Sequence, residues 1–130
     1  MSFSLTTDQV LERRKWVTRR VGWWSLLQGT ELRAVQKAMG LRKGERVREL
    51  AIIRVVDVRV ERLDELVRPG AYGAREMILE GFPGMDPQDF LNLASFEDHD
   101  PSVVVNRIQF EYVGQPWWRL DAELRPYLDK

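Results

Sequence analysis

The stretch Glu12-Arg13-Arg14-Lys15-Trp16-Val17-Thr18-Arg19-Arg20 sets five cations, a hydroxyl and an indole within nine residues. Just ahead of it, Thr6-Thr7-Asp8-Gln9 has the form of a capping box. Thr6 is the N-cap and Gln9 lies three residues on, with Leu5 and Val10 spaced as a hydrophobic staple. A short helix is therefore predicted from about Thr7 to Arg14, followed by a β-branched segment from Trp16 to Val21. Lys15 falls at the junction. In a continuous strand side chains alternate, which would send Lys15 and Thr18 to opposite faces; a turn at Lys15 brings them together, and Thr18 and Arg20 share a face in either case. Cations interleaved with Trp, Val and Thr read as the lip of a site, or else as an edge strand that uses charge to discourage pairing.

Outward from this stretch, Gly22 to Gly29 reads as a loop. Glu31 to Met39 is ambiguous: Leu32, Val35 and Met39 have helical spacing, whereas Gly29, Gly40 and the turn-like Arg42-Lys43-Gly44-Glu45 suit one arm of a hairpin. Ala51 to Val60 is the clearest strand, with apolar residues on both faces at its start, as expected of a central strand or a bulge near Arg54. Leu63 to Val67 is a short turn closed by Pro69-Gly70, and Ala74 to Glu80 a helix that Gly81 ends in the left-handed region. Asp86-Pro87-Gln88-Asp89 starts another helix, Asp86 as N-cap and Pro87 at N1, burying Phe90, Leu93 and Ala94. Val103 to Val113 is a strand with one phase slip, and Leu120, Leu124, Tyr127 and Leu128 stripe the C-terminal segment. With too few βα alternations for a parallel sheet, the fold class is α+β.

The 130 residues fit one domain with a real core, and 44% apolar content excludes a disordered chain. No apolar run reaches the roughly 18 residues of a membrane span, and the N-terminus lacks an export signal, so a cytoplasmic protein without a membrane partner is expected. Zero cysteines exclude disulfides and thiolate chemistry, and the single histidine, His99, leaves acid and base work to carboxylates and lysines. His99 stands among Glu97, Asp98 and Asp100 without ligand spacing, so a solvated acidic turn is expected and no metal. Residues 1 to 60 carry 13 Lys/Arg against 6 Asp/Glu, and residues 61 to 130 carry 7 against 14. Either the first half attracts an anion such as a phosphate backbone, or the halves neutralise each other where they touch.

Lys15-x-x-Thr18-x-Arg20, a valine-rich strand and Glu80-Gly81-Phe82-Pro83 together resemble the ASCH domain. The resemblance covers roughly residues 2 to 113, which makes residues 1–114 the domain and residues 115–130 a C-terminal extension packed on it. It implies a PUA-like small β-barrel with inserted helices beside a cleft, a role in binding RNA or a modified nucleoside, and no cofactor. It also implies that Glu31 to Met39 is a strand, paired across the turn with the strand after Arg46. One branch that this domain is similar to hydrolyses N4-acetylcytidine, and its lysine, threonine and glutamate correspond here to Lys15, Thr18 and Glu80.

The chemistry of these residues bears on that role. A threonine hydroxyl is a poor nucleophile unless a base takes its proton, and a lysine does so only with lowered proton affinity, which the like charge of Arg13, Arg14, Arg19 and Arg20 would promote. Glu80 is expected at a helix C-terminus, one turn after Glu76, where dipole and repulsion favour its protonated form. Alternatively, Lys15 and Glu80 form a structural ion pair, which would raise the lysine's proton affinity, and Thr18 is an ordinary strand residue. Arg14, Arg19 and Arg20 are candidates to bind phosphate, and Trp16, Trp23 and Trp24 to stack on a base, unless these indoles are simply core. A protein-interaction module built on the C-terminal stripe is the third class.

Overall fold

The computed structural model describes residues 1–37, 41–93 and 95–115. A single turn at Ser4–Thr6 leads into α1 (Thr7–Leu11), then β1 (Val17–Arg20), β2 (Glu31–Val35) and β3 (Glu49–Arg62). A second single turn, Leu63–Val67, precedes α2 (Tyr72–Glu80), α3 (Pro87–Leu91) and β4 (Val104–Tyr112). The strands form one antiparallel sheet in the order β1-β4-β3-β2. This is the expected α+β class, but the sheet is a curled half-barrel: β1 and β2 are its two edges and do not pair with each other among the described residues, so the expected barrel is not closed.

Helix α1 is shorter than predicted. Thr6 occupies the N-cap without making a side-chain cap bond, and the Thr7 hydroxyl instead donates to the Phe3 carbonyl at 2.9 Å. Phe3, not Leu5, packs with Val10; Leu5 is exposed. The helix stops because Arg13 adopts a left-handed φ of 58°. Arg13 N–H then bonds to Val10 O at 3.0 Å and Arg14 N–H to Gln9 O at 2.7 Å, the Schellman pattern, here closed by a non-glycine residue. Helix α2 ends the same way: Gly81, at φ 93°, donates to Ile78 O at 3.1 Å, and Phe82 donates to Met77 O at 2.8 Å. At α3 the expected cap is present, Asp86 Oδ1 accepting from Gln88 N–H at 2.9 Å. That helix buries Phe90 and Leu91 while Leu93 is half-buried; Ala94 lies outside the described residues.

Of the ambiguous segment, Glu31–Val35 is the edge strand β2, paired with β3 from Glu31↔Arg54 to Val35↔Glu49, while Ala38 and Met39 lie outside the described residues. Register shifts between Ala34 and Val35, so two consecutive residues are buried where strict alternation would bury one. That irregularity turns a period of two into the three-residue interval that imitated a helix. Two apolar clusters result. Phe3, Val10, Trp16, Val17, Ala34, Ile53, Leu79, Phe110 and Tyr112 fill one; Leu63, Leu66, Met77, Phe90, Leu91, Phe96 and Val105 fill the other. Each fully buried large side chain contributes about 1.5–3 kcal/mol. The candidate site lies between these clusters.

Candidate functional site

Three arginines stand side by side across the sheet: Arg19 on β1 faces Arg107 on β4, which faces Arg59 on β3. Like charges at directly opposite positions destabilise a sheet, so something must lie over them. It is one face of α2. Tyr72, Glu76 and Glu80 recur every four residues, a rise of about 6 Å per step, close to the roughly 4.8 Å between strands. Arg19 Nη1 donates to Glu80 Oε2 at 2.9 Å, its Nη2 to Glu76 Oε1, and its Nε to Glu61 Oε1 at 2.7 Å. Arg107 grips Glu76 with Nε at 2.6 Å and Nη2 at 3.1 Å, and Arg59 Nη2 donates to the Tyr72 hydroxyl at 2.7 Å. Burial alone would lower the proton affinity of Arg19, but Glu80, Glu76 and Glu61 together raise it. For Glu76, burial would raise the carboxyl, yet Arg107 and Arg19 hold it below the ordinary carboxylate range.

Lys15 enters this network from the other side. The turn after α1 and two backbone bonds fix it: Trp16 N–H donates to Leu79 O at 2.7 Å, and the Tyr112 hydroxyl donates to Lys15 O at 2.6 Å. Its Nζ donates to Glu80 Oε1 at 2.6 Å and to the Glu80 backbone carbonyl at 2.8 Å, in a fully buried pair. The ion pair expected as the alternative is therefore present, but its expected consequence is not. Burial lowers the proton affinity of Lys15, Glu80 opposes this, and Arg20 and Arg19 add to the lowering, so that the net shift is downward. Arg13 and Arg14 were expected to contribute; both are exposed, Arg14 is paired with Glu12, and burial is the larger cause.

Lys15, Thr18, Arg19, Arg20 and Glu80 line one pocket of about 150 Å³, with Phe3, Phe82, Phe90 and Phe96 as its apolar wall. That is small beside ligand clefts of about 300–1,000 Å³, and suits one small planar group. The Phe82 ring centroid lies 5.9 Å from Lys15 Nζ, and Gly81 brings the α2 terminus so close that a Cβ there would meet Lys15 Cβ at 3.4 Å. Arg20 donates with Nε to Thr18 Oγ1 at 3.1 Å and with Nη2 to the Ser2 carbonyl at 2.6 Å, its guanidinium 4.8 Å from the Phe3 ring centroid. No hydrogen bond joins Thr18 to Lys15. The cations Lys15, Arg19 and Arg107 are balanced by Glu61, Glu76 and Glu80. Arg20 makes no direct ion pair with a carboxylate among the described residues; Glu80 acts on it only through space, and it is the cation of the pocket wall without a counterion in contact.

The other candidate residues fall elsewhere. Trp16 is fully buried, edge-on to Tyr112 at 5.0 Å, and belongs to the core; its Nε1 has no partner among the described residues. Trp23 and Trp24 are exposed on the 22–29 loop and do not line the pocket, and neither does Arg14. Arg19 is sealed by three carboxylates, which removes it as a phosphate binder. Sequence reasoning missed Glu61, Tyr72, Arg59 and Arg107, whose signals were the four-residue recurrence along α2 and the phase slip in β4. It also placed none of Phe82, Phe90 and Phe96 in the pocket wall. Residues 116–130, with Trp117 and Trp118 and the C-terminal stripe, lie outside the described residues, apart from Gln115, which accepts from Arg13 Nη1 at 3.1 Å. Among the described residues there is no group of three potential metal ligands, and no helix long and apolar enough to cross a membrane.

What these features define is a small α+β domain with a polar pocket backed by a buried ion network. No family model matches the chain, and no curated protein matches it. Among solved structures, protein EF3133 from Enterococcus faecalis V583, which carries the family model DUF984, is similar at 16% identity over 85% of this chain and 71% of that one, with a TM-score of 0.43.

Proposed function

We propose that the chain is an ASCH-type, PUA-like domain that binds RNA or a modified nucleoside in the pocket lined by Lys15, Thr18, Arg20 and Glu80. One observation carries the reading: Lys15, Thr18 and Arg20 from one short stretch and Glu80 from about sixty residues further on meet at a single apolar-walled pocket, where Arg20 has no direct ion-pair partner among the described residues. The remaining capacity is mostly donor. Lys15 has one N–H beyond the two given to Glu80, Arg20 has further N–H groups, and Thr18 keeps its hydroxyl proton while accepting from Arg20. A pyrimidine ring, with carbonyl and ring-nitrogen acceptors at its edge and flat apolar faces, suits these donors and the phenylalanine wall.

A second reading, hydrolysis of N4-acetylcytidine, is favoured by the lowered proton affinity of Lys15 and its direct contact with Glu80. Thr18 Oγ would attack the acyl carbon, Lys15 would take the hydroxyl proton, and Glu80 would relay a proton to the departing cytidine nitrogen; water then releases acetate from Thr18. This requires Lys15 to approach Thr18 once substrate displaces the Arg20 contact.

Titration with cytidine and N4-acetylcytidine, while following the base absorbance, tests both. Binding that is lost in Arg20→Gln and Thr18→Val at unchanged melting temperature is the expected result, and no binding of either compound overturns the proposal. Release of cytidine from the acetylated compound by the wild type, abolished in Lys15→Ala, selects the enzyme.

A further inference from the structure

The pocket does not stand alone on its side of the molecule. Ser4 lines it and also lines a second recess of about 240 Å³, completed by Gln36, Lys37, Leu41, Glu45, Arg46 and Arg48. The two therefore adjoin at Ser4, on the N-terminal strap. The strap is tied to both: Phe3 N–H donates to Val35 O at 2.8 Å on the edge strand, while the Ser2 carbonyl accepts from Arg20.

Around the second recess the hairpin between β2 and β3 is strongly basic. Residues 33 to 48 hold Arg33, Lys37, Arg42, Lys43, Arg46 and Arg48 against the single carboxylate Glu45, in a chain of zero net charge. Glu45 is taken by Lys37 at 3.0 Å, and Arg33 by Glu49 at 2.8 Å. Arg42, Lys43 and Arg46 are exposed and without a carboxylate partner among the described residues. Cations on an edge strand discourage pairing, but these three lie beyond the end of β2, Arg42 and Lys43 in a turn closed by Glu45 N–H donating to Arg42 O at 2.9 Å and Arg46 just after it, outside the strands that pair. Repelling charges held on one turn without counterions are matched to a polyanion. Phosphates position a strand by charge, and a pocket reads one base of it.

We infer that the hairpin is the phosphate-binding arm of the site, so that the ligand is a single-stranded nucleic acid whose one base enters the pocket while its backbone runs over Arg42, Lys43 and Arg46. The inference rests on the nucleoside-pocket reading and names the larger ligand. It moves the phosphate contacts away from Arg14 and Arg19, which are respectively remote from the pocket and sealed. The arm adds affinity through charge and counterion release, without base preference; the pocket supplies the preference.

The test is a titration of the full chain with a ten-residue single-stranded RNA and, separately, with cytidine, across a salt series. Replacing Arg42→Gln, Lys43→Gln and Arg46→Gln together should weaken RNA binding at least about ten-fold at low salt. The slope of log affinity against log salt should fall by about 2, from three phosphate contacts at about 0.7 each on a single strand. Cytidine binding should be unchanged. If cytidine binds but the RNA affinity and slope do not move in the triple variant, the inference is overturned while the pocket reading stands; if cytidine fails to bind, the pocket reading itself has failed. Equal loss of binding to heparin and to vesicles with an anionic lipid, with no dependence on Thr18→Val in the RNA titration, also overturns it, because the arm would then serve any polyanion.

Discussion

Replacing Arg19 by leucine should unfold the network on which the pocket is built. The guanidinium is fully buried and gives hydrogen bonds to Glu61, Glu76 and Glu80, with a further contact of 3.3 Å to the Tyr72 hydroxyl. Without it, Glu76 keeps Arg107, Glu80 keeps Lys15, and Glu61 keeps the Tyr72 hydroxyl at 2.7 Å. No carboxylate is wholly orphaned, but Glu61, Glu76 and Glu80 then keep only Lys15 and Arg107 as close buried cations, with the exposed Arg59 at 3.9 Å from Glu61. Breaking a buried pair by removing one partner costs about 3–5 kcal/mol. For a chain of this length, between the size classes that lose about 2–4 and about 4–8 °C per kcal/mol, the melting temperature should fall by roughly 10–20 °C. Urea unfolding measures the free energy directly, and an unchanged dependence on urea would show that only stability moved. Adding Glu80→Gln to Arg19→Leu restores neutrality and should recover part of the loss. A single variant less stable by under about 1 kcal/mol, or a double variant worse than the sum of its parts, would refute the assignment of Arg19 as the centre of the network.

Other perturbations have equally definite outcomes. Glu76 is held below its ordinary value of 4.5, so its stabilising share is present above that pH and is lost as pH falls through the lower folded value; melting temperatures from pH 6 to pH 3 should show this acid loss flattened in Glu76→Gln, and an unaltered acid profile would contradict it. Gly81→Ala forces a side chain into φ 93° and sets a Cβ 2.9 Å from Gln9 Cγ; about 1–2 kcal/mol of stability from the backbone alone should be lost, together with cytidine affinity, because Lys15 must shift, and retained affinity would show that Lys15 tolerates displacement. Trp16→Ala should cost about 3–5 kcal/mol in urea unfolding, whereas Trp24→Ala should stay within about 0.5 kcal/mol; the reverse order would exchange their core and surface roles.

Lys15 and Thr18 follow a Schellman turn at Arg13 and Glu80 immediately precedes one at Gly81, and only the second turn was legible, since glycine advertises a left-handed φ and arginine does not. Lowered proton affinity at Lys15 was anticipated for only the smaller part of its cause: the charge of Arg19 and Arg20 is visible along a chain, whereas burial, the larger cause, depends on the sheet behind it. Helix α2 and the α3 cap could be read locally. Strand β2 could not, because a register shift at Ala34 and Val35 disguised its period. Arginines 19, 59 and 107 align only through strand pairing, so which of Tyr72, Glu76 and Glu80 each of them meets could not be read locally.

The most direct measurement is a map of backbone amide shifts on adding cytidine to the isotopically labelled protein. Perturbations should cluster at Thr18, Arg20, Gly81 and Phe82, extend with a longer RNA to Arg42 and Arg46, and vanish in Thr18→Val. Shifts confined to Trp23 and Trp24, or none at all at millimolar cytidine, would contradict a nucleoside pocket at Lys15 and Glu80.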